Sequence, residues 1–492
     1  MATAPRDRIR FLLGGEEREV TAPDPTMTVL EYLRRVERRC GTKEGCAEGD
    51  CGACTVVLGE LDGDGVHYRP VNACIQFLPT LDGRQLVTVE DLAGPDGTLH
   101  PAQQAMVETG GSQCGFCTPG VVMSLFALFH AGEPPDRDGI DDALAGNLCR
   151  CTGYGPIAAA AERMFELAPF DPFDAERRRV AERLKRLHAG EIATAAPDGR
   201  RFFAPTDLET LGRLCRDHPE AWLLAGGTDV GLWVTKQHRR PDTVIYLGTV
   251  PELQRVERRD GWLEIGAMAT YERLRPLLAA EWPDFGELLR RLGSTQIRAI
   301  GTMGGNVANG SPIGDSPPAL IALGARLVLN RGGERREMPL EDFFLAYGKQ
   351  DRRPGEIVER IRLPLPRPGW RFACYKVAKR FDQDITAVLG AFHLRLEGAQ
   401  VAEARICFGG MAATPKRAPA AEAALAGRPW NRETVMLAQR ALAEDYRPID
   451  DMRASGDYRA RVAGNLLLKY FVESTEPGAA TRLAGTRRRA DG

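Results

Sequence analysis

Apolar and polar positions alternate with a period near two at the start of the chain. Ile9 to Leu13 and Arg18 to Thr21 therefore read as a hairpin. Thr28 and Glu31 then form a capping box ahead of an amphipathic helix from Val29 to Val36. Thr55 to Leu58 and Leu86 to Val89 supply further strands. After residue 100 the spacing becomes helical. A helix is predicted from Pro101 to Glu108, and a second is capped by Thr118, with Pro119 first and Val121 to Phe129 as its body. A short third spans Asp141 to Ala145, and a fourth opens at Pro156 and runs through Leu167. The charged stretch 169–197 is poor in large apolar groups. It reads mainly as a linker, with a surface helix from Asp174 to Leu187.

A new region begins near Phe203 with an extended start and a capped helix. A buried strand, Trp222 to Ala225, runs into Gly226-Gly227-Thr228-Asp229 and a helix-like segment. From about residue 370 short strands return at Phe372 to Ala378, Ile385 to Leu396 and Val401 to Gly409. Helices follow at Ala418 to Leu425, Arg432 to Glu444 and Tyr458 to Phe471. With 492 residues, the natural division is into three or four domains. A hydrophobic content of 43% supports real cores, and a net charge of −2 leaves no footprint for nucleic acid or an anionic membrane. No window approaches the roughly 20 apolar residues of a membrane span, and no signal peptide is evident, so a cytoplasmic protein is expected. The basic run Arg487 to Arg489 reads as part of a disordered tail, 476–492.

Nine of the twelve cysteines fall within the first 151 residues. In GTKEGCAEGDCGAC the spacing is Cys46-x4-Cys51-x2-Cys54, with Cys74 nineteen intervening residues later, which is the plant-type 2Fe-2S ligand pattern. Three thiolates must converge from one short loop, so Gly45, Gly49 and Gly52 are expected to take positive φ and aim N–H groups at the sulfurs. A structural zinc knuckle is the competing reading, although zinc ribbons favour paired CxxC. The flanking elements suit a ferredoxin-like fold. A second set, Cys114-x2-Cys117 in SQCGFCTPG and Cys149-x-Cys151 in NLCRCTGYG, lies among the predicted helices, whose ends would cage another 2Fe-2S centre. Cys40 lies outside the pattern and reads as a bystander, and Cys374 and Cys407 read as buried small hydrophobes.

Two glycine clusters, AWLLAGGTDVGLWVTK and GTMGGNVANGSPIGDSPP, suit loops whose backbone wraps a diphosphate. Neither is a GxGxxG dinucleotide fingerprint or a Walker A phosphate loop, because the spacing and the Lys-Ser/Thr are missing, and each alone could be a tight turn.

Taken in order, a plant-type cluster, a helical CGFC…CRC cluster and the two glycine loops resemble the iron–sulfur and flavin subunit of bacterial xanthine dehydrogenases, in the xanthine oxidase family of molybdenum hydroxylases. The resemblance spans roughly residues 6–475. It implies an α+β multidomain chain: a β-grasp plant-type ferredoxin domain (6–92), a four-helix 2Fe-2S domain (93–168), the linker (169–197), an α+β FAD-binding domain of the vanillyl-alcohol-oxidase type (198–369) and an α+β flavoprotein C-terminal domain (370–475).

Position by position, the resemblance places Leu224, Ala225, Gly226, Gly227, Thr228, Asp229, Val230 and Gly231 along the FAD diphosphate and ribityl chain. Thr302, Met303, Gly304, Gly305 and Asn306 join them. Asp315 would hold a polar end of the cofactor, with Val358 and Lys376 near the rest of the flavin. Leu292 stands where relatives often carry a Phe against it. Gln113 would approach the pterin of a partner, and Tyr347 would stack with NAD. The implied function is electron transfer to NAD during oxidation of hypoxanthine or xanthine to urate. The molybdopterin would sit on a separate large subunit, in a dimer of heterodimers. The same module in an aldehyde, carbon monoxide or N-heterocycle hydroxylase is the alternative, and a non-catalytic redox sensor is a third reading.

Overall fold

The structure is a computed structural model that describes residues 4–132, 134–167, 171–187, 190–476 and 478–482. The basic run Arg487 to Arg489 lies outside the described residues. The chain divides into two compact units, one formed by residues up to Pro251 together with Gly293–Gly301, the other by Glu252–Leu292 and Thr302 onward. The stretch 198–369, expected as one domain, thus contributes to both.

The first unit begins with the expected hairpin, Arg8–Leu13 paired with Glu16–Thr21. Its sheet runs Glu16–Thr21, Arg8–Leu13, Gln85–Val87, Thr55–Asp62, Gly65–Asn72, with Arg8–Leu13 and Gln85–Val87 parallel. Gly65–Asn72 was not expected as a strand. It carries Pro70 and lies at the sheet edge, where a missing ladder donor is tolerated. The capping box is in place: Thr28 Oγ1 accepts the Glu31 N–H and Glu31 accepts the Thr28 N–H, both at 3.1 Å. The helix it opens keeps only Val29–Glu31 in α form before a π-helical turn, Tyr32–Val36.

Four helices follow at Pro101–Glu108, Thr118–Phe129, Arg137–Leu144 and Gly155–Arg163. The cap of the second is Cys117 rather than Thr118, whose hydroxyl pairs instead with Ser112 at 2.7 Å. The linker reading of 169–197 needs correction. Pro172–Leu187 is a helix that buries Phe173, Val180, Ala181, Leu184 and Leu187 in one core with Val121, Phe126 and Ile157. Ile192–Ala195 then pairs with Arg201–Ala204 in a four-stranded sheet that includes Thr243–Tyr246 and Trp222–Leu224. The high charge of this stretch masked apolar positions that fall on one helical face.

In the second unit, an antiparallel sheet orders Val256–Arg259, Trp262–Gly266, Ile357–Pro364, Arg326–Arg331 and Glu334–Pro339. Its core takes in Leu274, Leu278 and Phe285 from the helices Tyr271–Glu281 and Pro283–Arg290. A second sheet, Trp370–Val377, Val388–Glu397, Gln400–Gly409 and Lys416–Arg417, is followed by helices Pro419–Leu425, Arg432–Asp445 and Gly456–Thr475. These lie within a few residues of the elements expected, because apolar periodicity and caps such as Asn431 mark them locally.

Candidate functional site: two cysteine cages and a glycine loop

Cys46, Cys51 and Cys54 line a loop ahead of the strand Thr55–Asp62, and Cys74 follows the strand paired with it. Cys54 and Cys74 are buried, and the other two are half-buried. Interaction with Cys51 and Cys74, and the N–H groups of Cys51 and Glu48 at 3.4 and 3.5 Å, hold the Cys46 thiol far below its ordinary range. The same interaction with Cys46 pushes Cys51 and Cys74 up. Four thiols crowded together cannot all ionise without a compensating cation, which is what a metal centre provides.

The loop reaches this shape differently from the expectation. Gly49 and Gly52 have positive φ (83° and 69°), but the third such residue is Ala47 (55°) and not Gly45. Gly45 is needed for space, since a Cβ there would lie 2.8 Å from Cys51 Sγ.

The second set gathers at helix ends. Cys117 caps Thr118–Phe129, and Cys149 and Cys151 precede Gly155–Arg163. Cys114 interacts with Cys151, and Cys117 with Cys149. Burial and the Cys149 neighbour push Cys117 up to about 11. Burial also raises Cys149, but the Thr152 hydroxyl, 3.2 Å away, and the N–H groups of Thr152 and Cys151 outweigh it and lower the thiol to about 7. This set faces solvent. Cys114, Cys151 and Gln113 are exposed, and Phe116, Leu148 and Tyr154 leave large apolar surface open around them.

The two loops touch. The Leu148 N–H donates to the Cys51 carbonyl at 3.0 Å, and a Cβ at Gly120 would fall 2.0 Å from the Gly52 carbonyl. Only a glycine in the helix lets that carbonyl come so close.

The loop Gly226–Asp229 leads from the strand Trp222–Leu224 into the helix Val230–Thr235. Among the described residues, the N–H groups of Gly226, Gly227, Thr228 and Asp229 have no protein acceptor, which fits an anion-binding nest. The helix it opens rests on the first cysteine loop, with Thr235 Oγ1 donating to the Ala47 carbonyl at 2.7 Å and Lys236 pairing with Glu48 at 3.3 Å.

Thr302–Asn306 is built otherwise. The Met303 and Gly304 N–H groups donate to Ala269 and Ala267, and those of Gly305 and Asn306 to Thr302. The diphosphate wrapping expected of its backbone therefore lacks free donors at those four residues. Asn306 accepts from Ser316 at 2.7 Å, and Ser316 meets the Tyr271 hydroxyl at 3.0 Å. Asp315 is buried against Lys376 at 2.6 Å and the Thr386 hydroxyl. The Val358 side chain lies in the hydrophobic core, while Leu292 packs at the edge of that core and Tyr347 is 75% exposed.

His100, His130 and Asp171 bring their ligand atoms within 4.8 Å of one another. His100 Nδ1 accepts the Ala102 N–H, so a neutral ring carries its proton on Nε2 and offers no lone pair to a metal. His130 Nδ1 meets the Phe126 carbonyl at 2.9 Å and Nε2 meets Asp171 at 3.0 Å. The Phe126 carbonyl is an acceptor only, so the ring carries a proton on Nδ1.

Four family descriptions match the chain in succession: 2Fe-2S iron–sulfur cluster binding domain (11–78), 2Fe-2S binding domain (88–162), FAD binding domain in molybdopterin dehydrogenase (197–366) and CO dehydrogenase flavoprotein C-terminal domain (373–474). Xanthine dehydrogenase of Drosophila pseudoobscura pseudoobscura is 31% identical over 94% of this chain, and xanthine dehydrogenase 2 of Arabidopsis thaliana 32% over 85%. The chain belongs to the xanthine oxidase family of molybdenum hydroxylases. It spans 39% and 36% of the length of those two relatives. Among solved structures, a chain of carbon monoxide dehydrogenase from Hydrogenophaga pseudoflava is 30% identical with a TM-score of 0.52, over 54% of this chain and 93% of that one. A chain of quinoline 2-oxidoreductase from Pseudomonas putida 86 is 26% identical with a TM-score of 0.51, over 55% and 94%. Family membership makes the chain an iron–sulfur and flavin module of an oxidoreductase, and no helix among the described residues is long and apolar enough to cross a membrane.

Proposed function

We propose that this chain is the electron-transfer subunit of a xanthine dehydrogenase, working beside a large molybdopterin-bearing subunit with NAD as acceptor. The observation that carries the reading is the placement, in one compact unit, of a solvent-facing cysteine set, a buried one that touches it, and a free-donor glycine loop whose helix rests on the buried one. Cys114, Cys117, Cys149 and Cys151 would hold the 2Fe-2S centre nearest the partner, with Gln113 toward the pterin. Cys46, Cys51, Cys54 and Cys74 would hold the other. When bound, such clusters carry single electrons and FAD exchanges one or two, so a two-electron substrate oxidation can be coupled to NAD reduction.

The rest is the work of this chain's own groups. The N–H donors of Gly226–Asp229 offset diphosphate charge. The N–H groups of Cys51 and Glu48 stabilise a thiolate at Cys46. The Thr152 hydroxyl and nearby N–H groups favour the ionised form of Cys149. The apolar rim of Phe116, Leu148 and Tyr154 would exclude water from a docked partner.

The donor set fits iron better than zinc. Four thiolates on one tetrahedral zinc, with Zn–S near ~2.3 Å, bring every sulfur within roughly 4 Å of the others. Among the described residues the one group of three whose ligand atoms all meet within 4.8 Å is the histidine–aspartate set.

A second reading, the same module in a carbon monoxide or N-heterocycle hydroxylase, draws on the two solved relatives. It is less favoured, because they match little more than half of the chain while the xanthine dehydrogenases match nearly all of it. Purification with whatever co-purifies, iron and flavin counts, and NAD reduction with xanthine, carbon monoxide and quinoline test both. NADH formation with xanthine supports the first reading. Turnover of only another substrate overturns it.

A further inference from the structure

The helix Thr295–Ile300 lies in the stretch matched by the flavin-binding family, yet belongs to the unit that holds both cysteine cages. Its Gln296 side chain is fully buried. The Nε2 amide stands 3.2 Å from Thr55 Oγ1, 3.1 Å from Ser124 Oγ and 3.0 Å from Asn147 Oδ1. Each partner sits beside a cage: Thr55 follows Cys54, Asn147 precedes Leu148 and Cys149, and Ser124 is on the helix that Cys117 caps.

Proton accounting fixes the direction of this knot. The Thr55 hydroxyl gives its proton to the Gly52 carbonyl at 2.8 Å, and Ser124 gives its own to Asn147 Oδ1 at 2.6 Å. Asn147 Nδ2 is committed to the Gly52 carbonyl at 3.3 Å and to Thr55 at 3.4 Å. What remains on Thr55, Ser124 and Asn147 is acceptor lone pairs, and all three face one amide. Turning that amide over would set its oxygen against three oxygens with no proton to share. Gln296 Oε1 instead points away and has no hydrogen-bond partner among the described residues, close enough to Gly146 that a Cβ there would lie 2.0 Å from it.

We propose that Gln296 is a positioning residue that fixes the separation of the two cysteine cages, and so the coupling between the centres they hold. The inference rests on reading the cages as 2Fe-2S sites. Gln296 is a ligand in neither cage. It acts through the Gly52 carbonyl on one loop and the Asn147 turn on the other, holding in register the Leu148-to-Cys51 hydrogen bond that joins them.

The test uses the full chain purified with its cofactors. Gln296→Met keeps the length of the side chain and removes both donors. Iron per chain stays at the wild-type level, the spin–spin splitting between the two centres in the reduced protein's electron paramagnetic resonance spectrum is lost, and amide exchange over residues 146–152 accelerates. Thr295→Val, which removes a neighbouring hydroxyl bonded to the Asp142 carbonyl at 3.1 Å, leaves splitting and exchange unchanged. Should Gln296→Met fail to fold, Ser124→Ala removes one of the three acceptors and gives the same changes at smaller amplitude. An iron-replete Gln296→Met with wild-type splitting and exchange overturns the inference alone. Zinc in place of iron in the unaltered chain overturns the cage reading, and this inference with it.

Discussion

Lys376→Met separates a structural from a cofactor-binding role for the pair Asp315 and Lys376. The two side chains are 7% and 3% exposed and meet at 2.6 Å, with the Thr386 hydroxyl as the other partner of the carboxylate. Methionine fills the space of the lysine but leaves a buried carboxylate with one hydroxyl in place of a cation. Removing one member of a buried pair costs about 3–5 kcal/mol, most of it from the uncompensated charge. For a unit of this size that lowers the melting temperature by roughly 10 °C. Asp315→Asn in the same background removes the stranded charge and recovers most of the loss, which denaturant titration reads as a coupling energy of about 2 kcal/mol or more. Stability of Lys376→Met within about 1 kcal/mol of wild type, or a double variant no better than the single, refutes the reasoning. Loss of flavin at unchanged stability would instead support the cofactor role that family resemblance gives these residues.

Cys54→Ser and Cys114→Ser each remove one centre and leave the other, so iron content falls by about half and a different resonance disappears in each variant; disappearance of the same signal in both contradicts two separate cages. Gly120→Ala drives a methyl into the Gly52 carbonyl and is expected to cost about 2 kcal/mol or more and to disturb both centres, read by thermal unfolding and by their spectra. Glu473 titrates near 2 because, although burial raises it, Arg482, Thr481 and Tyr375 bond its carboxylate. A depressed folded value contributes stability that is present above the ordinary glutamate range and is lost as pH falls from about 4.5 toward 2. Discounted for solvent screening this is about 1 kcal/mol, and Glu473→Gln flattens that acid limb in urea titrations; an unchanged limb contradicts it.

Where physical chemistry acts over a few residues, the chain's organisation could be read without coordinates. Cysteine spacing, the Thr28–Glu31 box and the period change near residue 100 are local signals, and the corresponding elements are present. The helix at Pro172–Leu187 is legible, but its burial is not, because charge outweighs apolar content when positions are counted rather than projected around an axis. Gly45 and Ala47 exchanged roles because positive φ and tight space both select glycine, and the sequence alone does not separate them. The resemblance sets Thr302–Asn306 along the FAD diphosphate and ribityl chain, and only the fold shows that Ala269 and Ala267 take the Met303 and Gly304 N–H groups. Gln296 has no local signal of its own in the sequence. Its meaning comes from Thr55, Ser124 and Asn147, which lie at least 149 positions away along the chain, and a lone glutamine in GSTQIRAIG carries no periodic or spacing signal.

The unequal exposure of the two cysteine sets bears on how the protein is made. Cys54 and Cys74 are 1% and 2% accessible, so on the proposed cluster reading a donor would reach them most readily before the hairpin Thr55–Asn72 and its neighbours close over them. Cys114 and Cys151 stay open on the finished surface and can receive theirs afterwards, until a docked subunit shuts that route. On the proposed cluster reading, the inner centre would fill first and the outer centre last, with docking of the proposed partner as the final seal.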